Sequence, residues 1–468
     1  MKHLETIQGR YYDSIKLMRI SESLQKVPGV ESAAVMMGTP MNLSLLREQG
    51  FDSRETAEVG PDDVVVALEL ASTETLPDAR ATLNDLLSPA ETAKDNGQAK
   101  PASLRSPRIR ESPRLVMVAV PGRYAAIEAW DALDRGAHAF LFSDNVPIDD
   151  EIALKTAGID RDLLVMGPDC GTAILNGVGL GFANRVRPGT TGLVGGSGTG
   201  LQQVSCLVDE LGGGVSEAVG TGSRDLSEAI GGVMTLAAID MLARDPEVER
   251  IGLVSKAPHE PTARRVLEHL ARCGKPSVAC LLGSDIAQEG VAQAFTLEDA
   301  ARLLQGLAVQ EPVPEGGRYR GRLRGIYCGG SLCAESARIA ARLGVPAEWT
   351  DAGEDRYTVG RAHPMIDPRL RSSMVEQAGD AYDVLLCDVV LGYLAHPDPA
   401  GALVPAIREA SHRAASRRTQ LKAFVALIGT DQDPQELSDQ RAQLEDAGAE
   451  VFSSNAQAAL AAIQSMAS

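Results

Sequence analysis

An α/β fold made of several parallel-sheet domains is predicted from three observations. Apolar runs of strand length recur along the chain, each followed by a small-residue turn and an Ala- or Leu-rich helical stretch. Hydrophobic residues make up 44% of the 468 positions but aromatics only 4%, which suits Val/Leu/Ile strands packed on Ala-rich helices. The 46 glycines and 25 prolines fall mainly between these runs, where they punctuate turns.

The elements follow in order. Residues 1–90 read as a small α/β domain: helix Asp13–Gln25, strand Val30–Met36, the turn Met37–Pro40, helix Asn42–Glu48, strand Asp63–Leu70 and helix Pro77–Leu87, together a βαβ-like module. The stretch 91–113 reads as a linker, since Ser88–Pro113 lacks apolar periodicity and carries four prolines. Residues 114–188 form a Rossmann-like domain with strands Leu115–Val120, Ala139–Phe142 and Leu163–Met166. Residues 189–309 form a flavodoxin-type domain with strands Gly192–Val194, Val215–Val219, Arg250–Val254 and Ser277–Leu282. A second linker, 310–324, precedes a C-terminal domain, 325–468, with strands Gly325–Cys328, Val384–Leu386 and Ala423–Leu427. Strand–helix–strand units of this kind make right-handed parallel sheets, whose ligands bind beyond the carboxyl ends of the strands.

Composition narrows the function. A formal charge of −18 argues against nucleic acid and anionic membrane surfaces as partners. The N-terminus lacks the apolar core of a secretory signal, and no apolar run approaches the ~18 residues needed to span a bilayer. Seven scattered cysteines without a Cys-x-x-Cys pair predict buried free thiols in a reducing compartment, so a cytoplasmic protein without a metal site is expected.

Two turns carry the chemistry. Gly195–Gly200, GGSGTG, follows a strand and opens a helix, so Ser197, Gly198 and Thr199 present hydroxyls and free N–H groups to an anion. Gly329, Gly330 and Ser331 repeat that arrangement before another helix. A dinucleotide site would need an acidic residue at the tip of the next strand, whereas Glu217 lies inside it, and no Gly-Lys-Ser/Thr follows for a P-loop. Lys256 and Arg224 follow other strands as candidate cations, with Asp225 beside the latter. Arg361 and His363 lie in the irregular, charge-rich stretch Thr350–Arg371, where they would orient or polarise a carbonyl. Asn145, Asp169 and Cys170 sit in strand-end turns as further site-lining residues.

From about Leu115 to Leu304 the chain resembles the α subunit of succinyl-CoA synthetase, through VMGPDCGT (165–172), RPGTTGLVGGSGTG (187–200) and GTGSRDLSE (220–228). Residues from about Gly325 to Ile463 look like the C-terminal ligase domain of its β subunit. The fold implied is succinyl-CoA synthetase-like, with both active-site helices on one chain. That enzyme needs a phosphorylated histidine after the strand matching Ser277–Leu282. Here the segment reads GSDIAQEGVAQAF (283–295) without histidine, and Lys256 replaces the glutamate that contacts it. The N-terminal region is also too small for an ATP-grasp domain.

The fuller resemblance is to the FdrA family, through MMGTP (36–40), FLFSDNV (140–146), LVMGPDCGT (164–172), YTVGRAHPMIDP (357–368) and DVVLGY (388–393). It implies a subunit of an oxamate carbamoyltransferase-like complex, converting oxalurate and phosphate into oxamate and carbamoyl phosphate in allantoin breakdown. Partner subunits and a homo-oligomer are expected, with phosphate and carbamoyl phosphate as substrates and no resident cofactor. On this expectation phosphate lies between the two helix starts, Lys256 and Arg224 offset developing charge, and His363 and Arg361 orient the carbonyl. The alternatives are a subunit of an NDP-forming acyl-CoA synthetase, which would bring CoA or a nucleotide, and a non-catalytic CoA-binding scaffold.

Overall fold

A computed structural model describes residues 1–8, 12, 14–39, 42–43, 46–47, 50–51, 59–60, 63–87, 104, 113–309, 319–358 and 362–467. They fall into two compact units. The first is the N-terminal region with Ala119–Pro121 and Thr358–Ala362, and the second is the rest.

The first unit contains β1 (Lys2–Ile7), α1 (Ser14–Gln25), β2 (Val30–Met37), β3 (Val64–Leu70) and α2 (Leu76–Leu87). Its sheet order is β1-β3-β2, and β3 runs antiparallel to both neighbours. Two parallel strands thus flank an inserted third, a split βαβ and not the simple βαβ expected from the sequence. The unpredicted β1 reads KHLETI, too polar for an apolar-run criterion because it is a partly exposed edge. Central β3, VVVALEL, is buried at every position but one. Leu17, Ile20 and Leu24 of α1 and Leu83 and Leu87 of α2 close the core over this sheet. The expected helix at 42–48 is helical where described, at 42–43 and 46–47.

The second unit opens with β4 (Leu115–Val118), α3 (Gly122–Asp134), β5 (His138–Leu141), α4 (Ile148–Asp160) and β6 (Val165–Met166), a parallel three-stranded sheet. A hairpin follows, β7 (Thr172–Leu175) and β8 (Val178–Gly181). Next come β9 (Thr191–Gly195), α5 (Gly198–Glu210), β10 (Val215–Gly220), α6 (Val233–Arg244), β11 (Arg250–Ser255), α7 (Glu260–Ala271), β12 (Ser277–Leu281), β13 (Ala292–Gln293) and α8 (Leu297–Leu304). Their sheet runs β13-β12-β11-β9-β10-β7-β8. The hairpin therefore belongs to this sheet, pairing antiparallel with β10, and the expected domain boundary at 188/189 cuts through one structural body. Its signal was the Asn176-Gly177 turn, with φ of 49° and 73°, a left-handed pair that hairpins require. Glu217 is inside β10, where its carboxylate accepts the Asn176 N–H at 2.9 Å.

The remainder is β14 (Leu323–Tyr327), α9 (Gly330–Arg342), β15 (Ala347–Asp351), α10 (Arg369–Ala378), β16 (Val384–Val390), α11 (Pro399–Ser416), β17 (Lys422–Ile428), α12 (Leu437–Asp446), β18 (Ala449–Phe452) and α13 (Asn455–Gln464). Leu323 and Arg324, expected in the second linker, begin β14, and the stretch expected to be irregular over Thr350–Arg371 starts only after β15, holds a short helix at Asp355–Thr358 and ends at the start of α10. Its parallel order, β15-β14-β16-β17-β18, is the doubly wound 2-1-3-4-5 arrangement. Among β9–β12 the order has the same form. Strand order reverses between β9 and β11 in one sheet and between β14 and β16 in the other. Crevices form at such reversals. Here they open at Gly195–Gly200 and Lys256, and at Gly329–Ser331 and Asp388.

Buried polar contacts lock the two sheets together. Asn184 donates to the Leu391 carbonyl at 3.0 Å and to Asp433 at 2.7 Å, while Gln203 and Asn455 exchange a 3.0 Å bond between α5 and α13. Glu335 on α9 accepts from the Leu297 N–H at 2.5 Å and from Asn455 at 2.7 Å. One core runs through both sheets, from Val204 and Leu207 of α5 to Leu332 and Ile339 of α9. No helix among the described residues is long and apolar enough to cross a membrane.

Candidate functional site

Both turns are built by local capping. Ser197 is the extended N-cap of α5, with φ of −133°, and its Oγ accepts the Gly200 N–H at 3.1 Å. Gly329 caps α9 without a side chain. Asp388, inside β16 near its carboxyl end, substitutes: it is fully buried and accepts the Cys328 N–H at 2.8 Å and the Gly329 N–H at 2.7 Å. Arg371 supports that carboxylate at 3.4 Å and also donates to the Asp388 carbonyl. Neither Asp388 nor Arg371 was singled out from the sequence. Asp388 had a signal in following the apolar run Val384–Leu386 as the first residue of DVVLGY.

The two helix starts meet. Ser197 Oγ and Ser331 Oγ lie 2.5 Å apart, both buried, and a methyl group on Gly329 would come 3.0 Å from Thr199 Cγ2. The serines were expected to face each other across a phosphate. They touch instead and form a closed floor, because each hydroxyl finds its buried partner in the other. Gly198, Thr199 and Gly330 are partly exposed and form the mouth. The first-turn N–H groups of two helices, with two positive dipole ends, converge there.

Lys256 stands at this mouth. Its Nζ lies 3.7 Å from Oδ2 of Asp351, the last residue of β15. Burial raises the Asp351 pKa and the Lys256 charge opposes that rise, while Gly353 N–H bonds Oδ1 at 2.9 Å. His363 is next to this carboxylate: a methyl group on Gly353 would lie 2.7 Å from His363 Nε2 and 3.1 Å from Asp351 Oδ1. Burial, with the Lys256 and Arg371 cations adding to it, pushes the His363 pKa down to about 4. The Met365 N–H donates to Nδ1 at 3.2 Å, so the neutral ring carries its proton on Nε2. Phe182 packs on the His363 ring at 5.5 Å and on Phe142 at 5.2 Å, giving the site an apolar wall. Phe182 follows the hairpin that was missed, which is why the wall was missed with it.

Several expected site residues are engaged elsewhere. Arg224 binds Glu151 at 2.7 Å and the Val146 carbonyl at 2.8 Å. Asp225 is fully buried, bonded to Lys155 at 2.8 Å and to the Thr235 hydroxyl at 2.6 Å. They form a structural brace, since a buried charge must be paired. The buried Cys170 thiol donates to the Gly220 carbonyl at 3.3 Å, and burial raises its pKa to about 12, so it is no nucleophile. Asn145 is exposed at φ 54°, its backbone packed against Gly122, and Asp169 is exposed at φ 56°, its N–H bonded to Ser143. Arg361 lies outside the described residues. A separate cleft, lined by Arg187, Gly214, Arg250 and Gln305, lies at the amino ends of β9 and β11, the opposite edge from the turns. Six cysteines are buried and Cys273 is partly so, all as free thiols.

The segment after β12 is held rigidly. Arg338 of α9 donates to the Leu281 carbonyl at 3.3 Å, the Ser284 carbonyl at 3.1 Å and the Asp285 carboxylate at 2.5 Å, with its guanidinium 4.2 Å from the Phe295 ring centre. Both ends of the histidine-free stretch are thereby tied to the helix whose start forms the site.

Comparison with known proteins places these features in a family. Residues 1–103 match the AllF heavy metal-associated domain and residues 326–464 match the CoA-ligase domain. The uncharacterized protein YahF of Escherichia coli K12 is 37% identical, covering 97% of this chain and 96% of that one. The chain belongs to the YahF family. This YahF-family chain is also 27% identical over 146 residues to the ADP-forming succinate–CoA ligase α subunit of Aquifex aeolicus, covering 30% of this chain and 47% of that one. Acetyl-coenzyme A synthetase 1 of Ca. Korarchaeum cryptofilum aligns over 78% of this chain and 85% of its own, at 16% identity and a TM-score of 0.36. The CoA-ligase domain match and the parallel sheets make the fold the mixed α/β, CoA-ligase-like one.

The heavy-metal name of the N-terminal match finds no support in its residues. The first cysteine of the chain is Cys170, and the one histidine before His138 is His3, 3.3 Å from Glu5 and beside Arg80. Soft metals are held by thiolates, thioethers and imidazoles, and of these the region offers no thiolate and a single imidazole. Among the described residues no cluster of three candidate ligands occurs.

Proposed function

We propose that this chain is the phosphate-binding, CoA-ligase-type subunit of an assembly that transfers an acyl group by way of an acyl phosphate. The observation that carries this is the convergence of two helix starts, at Gly198 and Gly330, beside Lys256. Such ends bind anions through free N–H groups and aligned dipoles, and a lysine adds a point charge. The match to the CoA-ligase domain and the likeness to a succinate–CoA ligase α subunit support the NDP-forming acyl-CoA ligase class. In the forward step the CoA thiol attacks the carbonyl carbon of the acyl phosphate and gives up its proton. The carbon–oxygen bond to phosphate breaks, and phosphate leaves with the electron pair and takes up the thiol proton. The paired helix starts would hold the phosphate charge, and the His363 Nε2–H would donate to the carbonyl oxygen.

A phosphoryl group carried on histidine is disfavoured for this chain. The stretch 283–295 has no histidine and is tied down by Arg338, and His363 has its Nε2 protonated and its Nδ1 occupied. Those features favour a second reading within the same chemistry, in which the acyl phosphate is carbamoyl phosphate and the acceptor is oxamate, as the FdrA resemblance implies.

Titration of the full chain with inorganic phosphate and acetyl phosphate tests the site, and nucleotide-independent release of phosphate tests the class. Saturable binding at millimolar concentration or below, with phosphate release from acetyl phosphate on adding CoA, is expected. Release from carbamoyl phosphate on adding oxamate, but not CoA, would select the second reading. Absence of binding to either anion sinks the proposal.

A further inference from the structure

Among the buried side-chain atoms of the described residues that have no hydrogen-bond partner is the Thr172 hydroxyl, the whole polar part of its side chain. Thr172 opens β7 with its side chain 98% removed from solvent, at 2% exposure, and its Oγ1 has no hydrogen-bond partner. Its backbone sits opposite Gly181 in the hairpin, and its carbonyl accepts from the Cys170 thiol at 3.6 Å. Buried hydroxyls are nearly always satisfied, so an orphan marks a place where another molecule supplies the partner.

The direction of that hydroxyl identifies the place. A methyl group added to Gly198 would meet Thr172 Oγ1 at 3.6 Å and Gly171 Cα at 3.8 Å, and nothing nearer. Gly198 is the first residue of α5, so Thr172 faces the bare first turn of that helix across a gap lined on both sides by glycine. A methyl carbon on Gly198 would fit there without a clash, so the Thr172 hydroxyl lies beside the start of α5 with no side chain between them.

We propose that Thr172 is a direct ligand of the phosphoryl group, donating its Oγ1–H to a non-bridging oxygen that the Gly198 and Thr199 N–H groups also hold. The inference rests on the phosphate reading above and adds a third wall to it. The two helix starts and Lys256 provide charge, and Thr172 adds a directional donor from the hairpin side. Phosphate, with several acceptor oxygens in a tetrahedron, satisfies donors from three directions; a planar carboxylate would leave one side unmet.

Thr172→Val keeps the shape and removes the hydroxyl, and Thr172→Ser keeps the hydroxyl. Titration of the full chain with inorganic phosphate should show about tenfold weaker binding in T172V and near wild-type binding in T172S. Without phosphate, T172V should unfold at the same temperature as wild type or higher, because an unmet buried donor has been removed. Binding and stability then move in opposite senses, which a purely structural threonine would not produce. Unchanged phosphate affinity in T172V, or a joint loss of stability and affinity that T172S does not restore, overturns the role of Thr172. A wild-type chain that binds neither phosphate nor acetyl phosphate overturns the underlying phosphate reading, and this proposal with it.

Discussion

Lys256 and Asp351 meet over the bare Cα of Gly330, with 3.7 Å between Nζ and Oδ2. The lysine is half exposed and the carboxylate is nearly buried, so Asp351 holds the cation at the mouth and competes with any arriving anion for it. Lys256→Met should weaken phosphate binding about tenfold or more, the ordinary effect of losing a charge-assisted bond. Asp351→Asn should strengthen it, because the competitor is removed. Calorimetric titration of both variants gives the two signs; equal weakening in both would mean the pair acts only as structure.

A side chain at Gly330 would have to push its neighbours aside. A Cβ there would clash with Asp351 Oδ2 and with Lys256 Nζ. Lysine can swing away, but the carboxylate is held by Gly353 and cannot retreat as far. Gly330→Ala should displace Lys256, lower phosphate affinity at least severalfold and leave the helix otherwise intact, since alanine is the better helix former by about 1 kcal/mol. Unaltered affinity with unaltered circular dichroism would contradict the placement of the site at this turn.

How far the sequence reveals the site follows from what periodicity can see. Strand–turn–helix units are local, so β9–α5 and β14–α9 and their glycine turns are readable, and Lys256 is readable as a strand-end cation. The Ser197–Ser331 contact spans 134 positions, and nothing in either turn tells that the hydroxyls touch instead of flanking a ligand. Asp351 ends a strand whose sequence, AEWTD, has no apolar run, and Phe182 depends on a hairpin signalled only by Asn176-Gly177. Arg224 shows the reverse error: a strand-end arginine looks available until the buried Glu151 is seen beside it.

His363 should remain neutral throughout the physiological range. Its pKa is lowered from 6.5 to about 4 by burial first and by Lys256 and Arg371 next. The native state therefore binds fewer protons than the unfolded state between these values. The stability this contributes is present above pH 6.5 and is lost as pH falls towards 4. Nitrogen NMR of the labelled imidazole should show an Nε2–H tautomer that does not titrate near 6.5. A midpoint at the ordinary value would remove the basis for an Nε2–H donor at the carbonyl.

Glu335 should make stability fall with rising pH. Burial raises its pKa from 4.5 to about 7, opposed by the bonds from Asn455 and Leu297. The native state thus binds more protons than the unfolded state between these values, so stability drops from about pH 4.5 to about pH 7 and levels off above. The drop should be roughly 3 kcal/mol. Urea midpoints measured at pH 5 and pH 8 for wild type and Glu335→Gln isolate this contribution, which the glutamine lacks. Identical pH dependence in the two proteins would show that Glu335 is ionised throughout.

Lys155 anchors the loop that was expected to bind substrate. Its ammonium is fully buried and bonds Glu151 at 2.8 Å, Asp225 at 2.8 Å and the Thr221 carbonyl at 3.0 Å, which satisfies all three of its protons. Asp225 passes the link to α6 through the Thr235 N–H at 2.9 Å, and Arg224 covers Glu151 from the exposed side. Lys155→Met would leave two carboxylates in the interior without their shared cation, a loss of about 3–5 kcal/mol. Arg224→Ala, at a half-exposed position, should cost less than about 1 kcal/mol. Because the brace touches neither Gly198 nor Gly330, phosphate affinity of the folded Lys155→Met protein should stay within about twofold of wild type, as expected for independent sites. Combining Lys155→Met with Glu151→Gln and Asp225→Asn removes all three charges and should recover part of the stability. Chemical denaturation of the three proteins measures that recovery; a triple variant no more stable than Lys155→Met would assign the loss to packing instead of unpaired charge.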